Sequence, residues 1–346
     1  MQYRKLGRTG LDISAIGLGT MTWGMQNTQE EGFAQMDYAL ERGVNFFDTA
    51  EMYAIPPSSD SFGSTETIIG NWFASRGNRD KVVLASKISG PGLSWVRDGK
   101  NVIDKNNITL AVESSLHRLQ TDYIDLYQLH WPNRGSYHFG QVWNYAPQSD
   151  RQAQEDNFLE VLHTLQGLIT DGKIRHFGLS NETAWGMSKW LELARHNNLP
   201  RPVSIQNEYS LLCRRFEPDM SEIALQEDCG LLAWSPLSRG ILSGKYLNGA
   251  RPEGARLTIE TRPEHRKGTA IDAAVERYVA VAKRYEIDAC QMALAFVTSQ
   301  PFVSSTLIGA TNMTQLESNI DSITLKLTIE IKEEIAKIRR DYPMLY

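Results

Sequence analysis

The chain has 346 residues and a formal net charge of −5, with 41% hydrophobic and 22% charged residues. That is an ordinary globular composition, and no run of like charge is long enough to suit nucleic acid or an anionic membrane surface. Cys213, Cys229 and Cys290 are odd in number and contain no Cys-x-x-Cys pair, which argues against a disulfide framework or a zinc site and fits a reducing compartment.

The opening MQYRKLGRTGLDIS lacks an apolar stretch of signal-peptide length, and no run of about 18 apolar residues occurs. A cytoplasmic location is the expectation. Tyr3 and Leu6 flank a Gly-Arg-Thr-Gly turn at 7–10, and Leu11 and Ile13 then alternate with polar neighbours, so residues 1–15 read as a hairpin. From there short apolar runs alternate with amphipathic ones. A strand at 16–18 precedes a helix at 28–42, which Gly43 closes. Strands at 44–48, 82–86 and 124–129 are followed by helices at 65–75, 107–119 and 157–170. Strands at 174–179, 203–206 and 231–234 lead to helices at 184–196, 218–228, 270–285 and 289–299. A strand at 305–308 and a helix at 313–322 complete the series, and an amphipathic helix at 328–340 follows.

Eight strand–helix units after a hairpin imply a parallel sheet closed on itself, a (β/α)8 barrel. One domain spans 1–346, with the barrel at about 16–325, extra helices, and long connections at 54–63, 88–105, 132–154 and 247–269. Loops of that size in a compact domain are usually lids or binding loops.

The chemistry sits at strand ends. Asp48 and Tyr53 belong to VNFFDTAEMY (44–53), Lys87 ends VVLASK (82–87), and His130 falls in IDLYQLHW (124–131). Neighbouring parallel strands lie about 4.8 Å apart, so these residues converge on the C-terminal face, where barrel enzymes carry out catalysis. A lone strand-end Asp or Lys is commonly a structural ion pair, and a lone Tyr is commonly packing. The four together make a proton-donating site.

Nine ordered segments carry a resemblance over nearly the whole chain. They are IGLGTMTWG (16–24), GVNFFDTAEMY (43–53), ETIIG (66–70), ASK (85–87), IDLYQLHWP (124–132), GKIRHFGLSN (172–181), QNEYSLL (206–212), WSPLSRGILSGKY (234–246) and LIGATNMTQLESN (307–319). In these the chain resembles the aldo-keto reductases, and its 248–256 stretch resembles the bacterial Tas-like group. The resemblance implies a catalytic tetrad of Asp48, Tyr53, Lys87 and His130. It implies an NADPH-dependent oxidoreductase that reduces aldehydes or ketones, with NADH as the other candidate cofactor and a small carbonyl compound as partner.

The roles fit the residue types. A free phenol with a pKa of about 10 is a feeble acid at neutral pH, and a nearby Lys87 ammonium is expected to lower it. Asp48 would keep Lys87 charged, Tyr53 would act as general acid, and a neutral His130 would orient the carbonyl. Gly17-Leu18-Gly19 lacks the G-x-G-x-x-G spacing of a dinucleotide fingerprint.

By the same resemblance Thr20 and Met21 line the nicotinamide, with Asp48 beside it. Ser180, Asn181 and Gln206 hold its carboxamide, and Trp234 stacks on the ring. Ser235, Leu237, Gly240 and Leu242 cover the pyrophosphate, with Lys245 and Arg256 for phosphate charge. Gly309, Thr311, Gln315 and Asn319 meet the adenosine half. Trp23, Tyr53, His130 and Trp131 are the expected substrate pocket, while Arg97, Arg134 and Arg151 are loop cations that would suit an acidic substrate. Ala54 replaces a common glycine, Ser318 a common acid, and Gln315 an arginine of some NADPH-preferring relatives. Two other readings fit the same residues: a cofactor-binding regulatory subunit, and a Schiff-base enzyme using Lys87.

Overall fold

A computed structural model describes residues 1–147, 150–260 and 264–346. An antiparallel hairpin of β1 (Tyr3–Lys5) and β2 (Asp12–Ser14) comes first. β3 (Ile16–Gly19), α1 (Gln29–Glu41), β4 (Phe46–Asp48), α2 (Ser64–Arg76), β5 (Val83–Ile88) and α3 (Lys105–Leu119) form the next units. β6 (Ile124–Leu129), α4 (Arg151–Thr170), β7 (Ile174–Ser180) and α5 (Ala184–His196) continue the alternation. Then come β8 (Ser204–Gln206), α6 (Met220–Gln226), β9 (Gly230–Ala233) and three helices, α7 (Arg256–Ile259), α8 (Thr269–Arg284) and α9 (Ala289–Thr298). β10 (Val303–Ile308), α10 (Met313–Asp321) and α11 (Ile329–Asp341) complete the order.

β3 to β10 pair in sequence order, all parallel, and β10 closes on β3. The expected (β/α)8 barrel is therefore the fold. The two-residue period of a strand divides its core. Phe46, Ala85, Leu126, Leu232 and Leu307 point inward and pack with Leu6 and Ile13 of the hairpin segment, which plugs one end. Phe47, Tyr127 and Phe177 belong to the larger core between strands and helices.

Helix starts follow side-chain chemistry. Thr28 and Glu31 form a reciprocal capping box on α1. Asp104, Thr183, Asp288, Asn312 and Thr328 each accept a backbone N–H from the first turn of their helices. α4 begins at Arg151 rather than 157, because Asp150 caps it through the Ala153 N–H. Its first turn is polar and carries no apolar stripe, so periodicity misses it. α6 is shorter than 218–228, and α7 is a single turn inside the 247–269 connection. Among the described residues no helix is long and apolar enough to cross a membrane.

Two glycines test the packing with opposite signs. At Gly70 of α2 an added Cβ would lie 2.1 Å from the Arg118 carbonyl of α3. At Gly167, on the exposed face of α4, it would meet nothing within 4 Å. In urea unfolding, Gly70→Ala is expected to cost about 2 kcal/mol, and Gly167→Ala to add about 0.5–1 kcal/mol by removing helix-interior backbone freedom.

Candidate active site

Parity carries the inward-facing series upward from the apolar layer. Two residues beyond Phe46, Ala85 and Leu126 stand Asp48, Lys87 and Gln128, with His130 one further step up its strand. β8 contributes Gln206 through its pairing with Ser180 of β7. The barrel interior thus changes from hydrocarbon to polar over one strand period.

Lys87 is fully buried. Its Nζ donates to Asp48 Oδ2 at 2.6 Å and to the Thr49 carbonyl at 2.7 Å. The other Asp48 oxygen accepts from Gln128 Nε2 at 3.0 Å and Gln206 Nε2 at 2.8 Å, and Gln206 Nε2 also reaches Gln128 Oε1 at 3.0 Å. Both carboxylate oxygens are therefore occupied, as a buried charge requires. Burial works against the Lys87 charge, but Asp48 and, after it, Tyr53 together outweigh it and the pKa of Lys87 is raised. Lys87 is an ammonium at neutral pH, so it is no free amine for a Schiff base.

Tyr53 lies against this pair, with Lys87 Nζ 5.0 Å from its ring centroid. Its ring meets His130 edge to face at 5.8 Å. The pKa of Tyr53 is raised, contrary to the expected lowering. Burial is the main cause. Lys87 pulls the value down, and Asp48, just behind Lys87, pushes it up again. The ammonium is present as expected, but its effect on the phenol is outweighed. Burial and then the Lys87 charge hold the His130 imidazole well below its ordinary pKa, so it is neutral. Its Nδ1 is buried without a partner.

Thr20 Oγ1 donates to the Asp48 carbonyl at 2.9 Å, and the Met21 carbonyl accepts the Ile55 N–H at 2.9 Å, tying the loop after Tyr53 to the turn that follows β3. Ala54 is buried in that loop, its N–H on the Ser61 carbonyl. Asn181 Nδ2 donates to the His130 carbonyl at 2.9 Å and to Ser180 Oγ at 3.1 Å, and Ser180 Oγ donates to the Gln206 carbonyl at 2.9 Å. Asn181 Oδ1 is left buried with no partner. Trp234 Nε1 is likewise orphaned. The loop beyond it turns through left-handed backbone at Ser235, Ser238, Arg239, Gly240 and Gly244, while Leu242 is buried and Leu237 is partly buried against the core.

Lys245 approaches Gly240, where an added Cβ would lie 3.3 Å from its Nζ. Arg256 opens α7, pairs with Glu260 at 3.4 Å and is close enough to Tyr53 to favour its phenolate. At the other side of the mouth Gly309, Thr311, Gln315 and Asn319 are joined around the start of α10. Gln315 Oε1 accepts from the Thr311 N–H and hydroxyl at 3.1 and 3.2 Å, and Asn319 Nδ2 donates to the Gly309 carbonyl at 3.2 Å. Ser318 is held by Gln291 Nε2.

Several expected pocket residues are engaged elsewhere. Trp23 is 0% exposed and belongs to the core, its indole N–H on Gln35 Oε1 at 3.0 Å. The indole packs toward α1, because Gly32 leaves room for it there. Trp131 remains at the mouth, 4.9 Å from the His130 ring, with its N–H on the Pro91 carbonyl. The three loop arginines are all paired with carboxylates. Arg97 makes a two-pronged bond to buried Glu51 at 2.8 and 2.9 Å, Arg134 a two-pronged bond to Glu182, and Arg151 bonds Glu155 at 2.7 Å. Arg97 and Arg134 anchor their loops on buried carboxylates, whereas Arg151 opens α4 and pairs with Glu155 on that helix's exposed surface.

Phe139 takes the place at the mouth that sequence reasoning left unassigned. It is 49% exposed, lies 6.0 Å from Trp234 with ring planes within 24°, and meets Trp131 edge to face at 6.2 Å. Gln128 was also missed, although the two-residue period from His130 identifies it as inward-facing.

The chain was compared with known proteins. The model of the Aldo/keto reductase family matches residues 15–340. The chain is 46% identical to "Protein tas" of Escherichia coli over 345 residues, 99% of each chain. It is 34% identical to "Uncharacterized oxidoreductase YrpG" of Bacillus subtilis, over 96% of this chain and 94% of that one. It is 39% identical to "Aldo-keto reductase" of Babesia bovis, over 69% of this chain and 88% of that one. With its closed parallel barrel and this coverage, the chain belongs to the aldo/keto reductase family of oxidoreductases.

Proposed function

We propose that the protein reduces aldehyde or ketone carbonyls to alcohols, with NADPH as the reductant and Tyr53 as the general acid. The observation that carries this reading is the buried Asp48–Lys87 pair beneath the Tyr53 ring. It places a fixed positive charge beside the phenol, where a phenolate would form, with the Tyr53 ring itself only partly exposed.

The residues around the mouth fit a nicotinamide. Asn181 Oδ1 is a buried acceptor without a donor, which suits a carboxamide NH2. Ser180 and Gln206 border it, and Gln206 Nε2 is already spent on Asp48 and Gln128, leaving its oxygen for the ligand. Trp234 offers a flat face and the 235–245 loop a left-handed backbone turn for the pyrophosphate. Lys245 and Arg256 supply the phosphate charge that favours NADPH, and the Gly309–Asn319 cluster takes the adenosine half. The bound dinucleotide supplies the hydride.

The chain's own residues handle the proton. As negative charge builds on the carbonyl oxygen, Tyr53 Oη gives up its proton to it. Lys87 stabilises the phenolate that remains, which matters most at that moment because burial otherwise holds the phenol's pKa high. Asp48 keeps the ammonium oriented. Neutral His130 donates a hydrogen bond to the carbonyl oxygen and fixes its angle. Trp131, Phe139 and Trp234 wall the mouth, which suits an apolar or aromatic carbonyl compound.

Three outcomes follow. Tyr53→Phe should abolish reduction of 4-nitrobenzaldehyde, by about a thousandfold or more in kcat, while NADPH still quenches tryptophan fluorescence; NADPH oxidation at the wild-type rate would refute the assignment. The pH profile of reduction should be flat from about pH 6 to 9 and fall only at higher pH, since both Tyr53 and Lys87 have raised pKa values and His130 a lowered one. A limb near pH 6.5 that vanishes in His130→Ala would contradict a neutral imidazole. Lys87→Met strands the Asp48 carboxylate, so chemical denaturation should show a loss of about 3 kcal/mol, and Asp48→Asn in the same chain should recover part of it.

A further inference from the structure

Tyr346 follows α11 at the end of a short segment, 342–346, whose Pro343 and Met344 are exposed. The chain then turns inward, and the Tyr346 side chain is buried at 2% exposure. Its phenol meets Glu208 Oε1 at 3.2 Å and Ser238 Oγ at 3.2 Å. Ser238 lies in the 235–245 loop, and Glu208 lies two residues beyond Gln206. The segment therefore ties the connection after β8 to the 235–245 loop.

The direction of these bonds is determined by donor count. The Glu208 carboxylate only accepts, so Tyr346 spends its single proton there. Ser238 Oγ must then donate to Tyr346, and Ser210 Oγ, 2.9 Å away, must donate to Ser238. Ser210 Oγ in turn accepts the Leu212 and Cys213 N–H groups at 3.2 and 3.1 Å. This is a one-way chain from Ser210 of the connection after β8, through Ser238 of the 235–245 loop, and back to Glu208 of that connection, and among the described residues Tyr346 is the link between Ser238 and Glu208.

A second set of bonds converges on the same ring. Arg266 stands 5.4 Å from the Tyr346 centroid and donates to Glu208 at 2.9 Å and Glu264 at 3.1 Å. Glu264 also pairs with Arg239 of the 235–245 loop. His265 meets the Tyr346 ring edge to face at 5.5 Å and crowds Gly140 of the 132–147 loop from the other side. Tyr346 thus touches the connection after β8, the 235–245 loop and the 247–269 connection, and reaches the 132–147 loop through His265. Burial, with the Glu208 charge second, raises the pKa of Tyr346 well above the ordinary phenol value, so the link stays protonated.

We propose that Tyr346 is a positioning residue for the 235–245 loop and, through it, sets how long the dinucleotide is held. The proposal rests on the reading of that loop as the pyrophosphate segment. It assigns Tyr346 no part in hydride or proton transfer.

The test uses the full chain with Tyr346→Phe, which removes the two hydrogen bonds and keeps the ring, and Tyr346→Ala, which removes both. Tyr342→Ala is the control, since Tyr342 packs on Arg277 at the base of the same segment. Without cofactor, hydrogen exchange of the 238–246 amides should be faster in both Tyr346 variants and unchanged in the control. Stopped-flow tryptophan fluorescence should show NADPH release about threefold faster in Tyr346→Phe and about tenfold faster in Tyr346→Ala, with Kd rising in proportion. The single-turnover rate with 4-nitrobenzaldehyde at saturating NADPH should not change.

Exchange and release both within about twofold of wild type in folded Tyr346→Ala would overturn the proposal. So would faster exchange with unchanged release, or an equal effect in Tyr342→Ala. A wild-type protein that binds no NADPH would instead overturn the carbonyl-reductase reading, and the exchange measurement would still decide whether Tyr346 orders the loop.

Discussion

An ammonium with no solvent exposure is the constraint around which the top of this barrel is arranged. Removing a lysine charge from water costs several kcal/mol unless a partner and further hydrogen bonds compensate. Asp48 is that partner, and the Thr49 carbonyl accepts a second N–H of the ammonium. The carboxylate is buried in its turn, and two glutamines, Gln128 and Gln206, satisfy its other oxygen. Four strands therefore place polar groups in one layer, and changing any of them leaves another unpaired. The phenol of Tyr53 rests on this layer, and its acidity is set by the contest between burial and the Lys87 charge.

The layer below explains why the polar one can exist. Phe46, Ala85, Leu126, Leu232 and Leu307 fill the barrel, and Leu6 and Ile13 of the hairpin segment close it. With one end sealed by hydrocarbon, the buried ion pair inside the barrel, Asp48 and Lys87, sits at the C-terminal end. The hairpin thus serves the site from the opposite end of the molecule, by making the barrel interior dry.

Much of this was legible in the sequence because it rests on short-range periodicity. Alternation along VNFFD, VVLASK and IDLYQLH puts Asp48, Lys87 and His130 on the inner face, and strand–helix alternation predicts the closed sheet. The same parity points to Gln128. What local patterns cannot convey is pairing across the chain. Arg97 finds Glu51 and Arg134 finds Glu182, each from a different connection, whereas the Arg151–Glu155 pair is a four-residue helix spacing that emerges only once α4 is known to begin at Arg151. Trp23 looked like a pocket wall because it follows a strand end, but the small Gly32 opens a place for it in the core. Phe139 joins Trp234 from a distant loop in a left-handed backbone conformation, which no period announces. The net pKa of Tyr53 went the other way from a charge-only argument because desolvation depends on packing that sequence does not display.

At neutral pH the site holds three protons on Lys87 Nζ, one on Tyr53 Oη and one on the His130 ring. Neutron diffraction from deuterated crystals of the protein with NADP+ would locate them directly. The account predicts a triply deuterated Lys87 directed at Asp48, Thr49 and Tyr53, a deuterated phenol, and a singly deuterated imidazole. A neutral Lys87 amine, or an imidazolium carrying deuterons on both nitrogens, would contradict it.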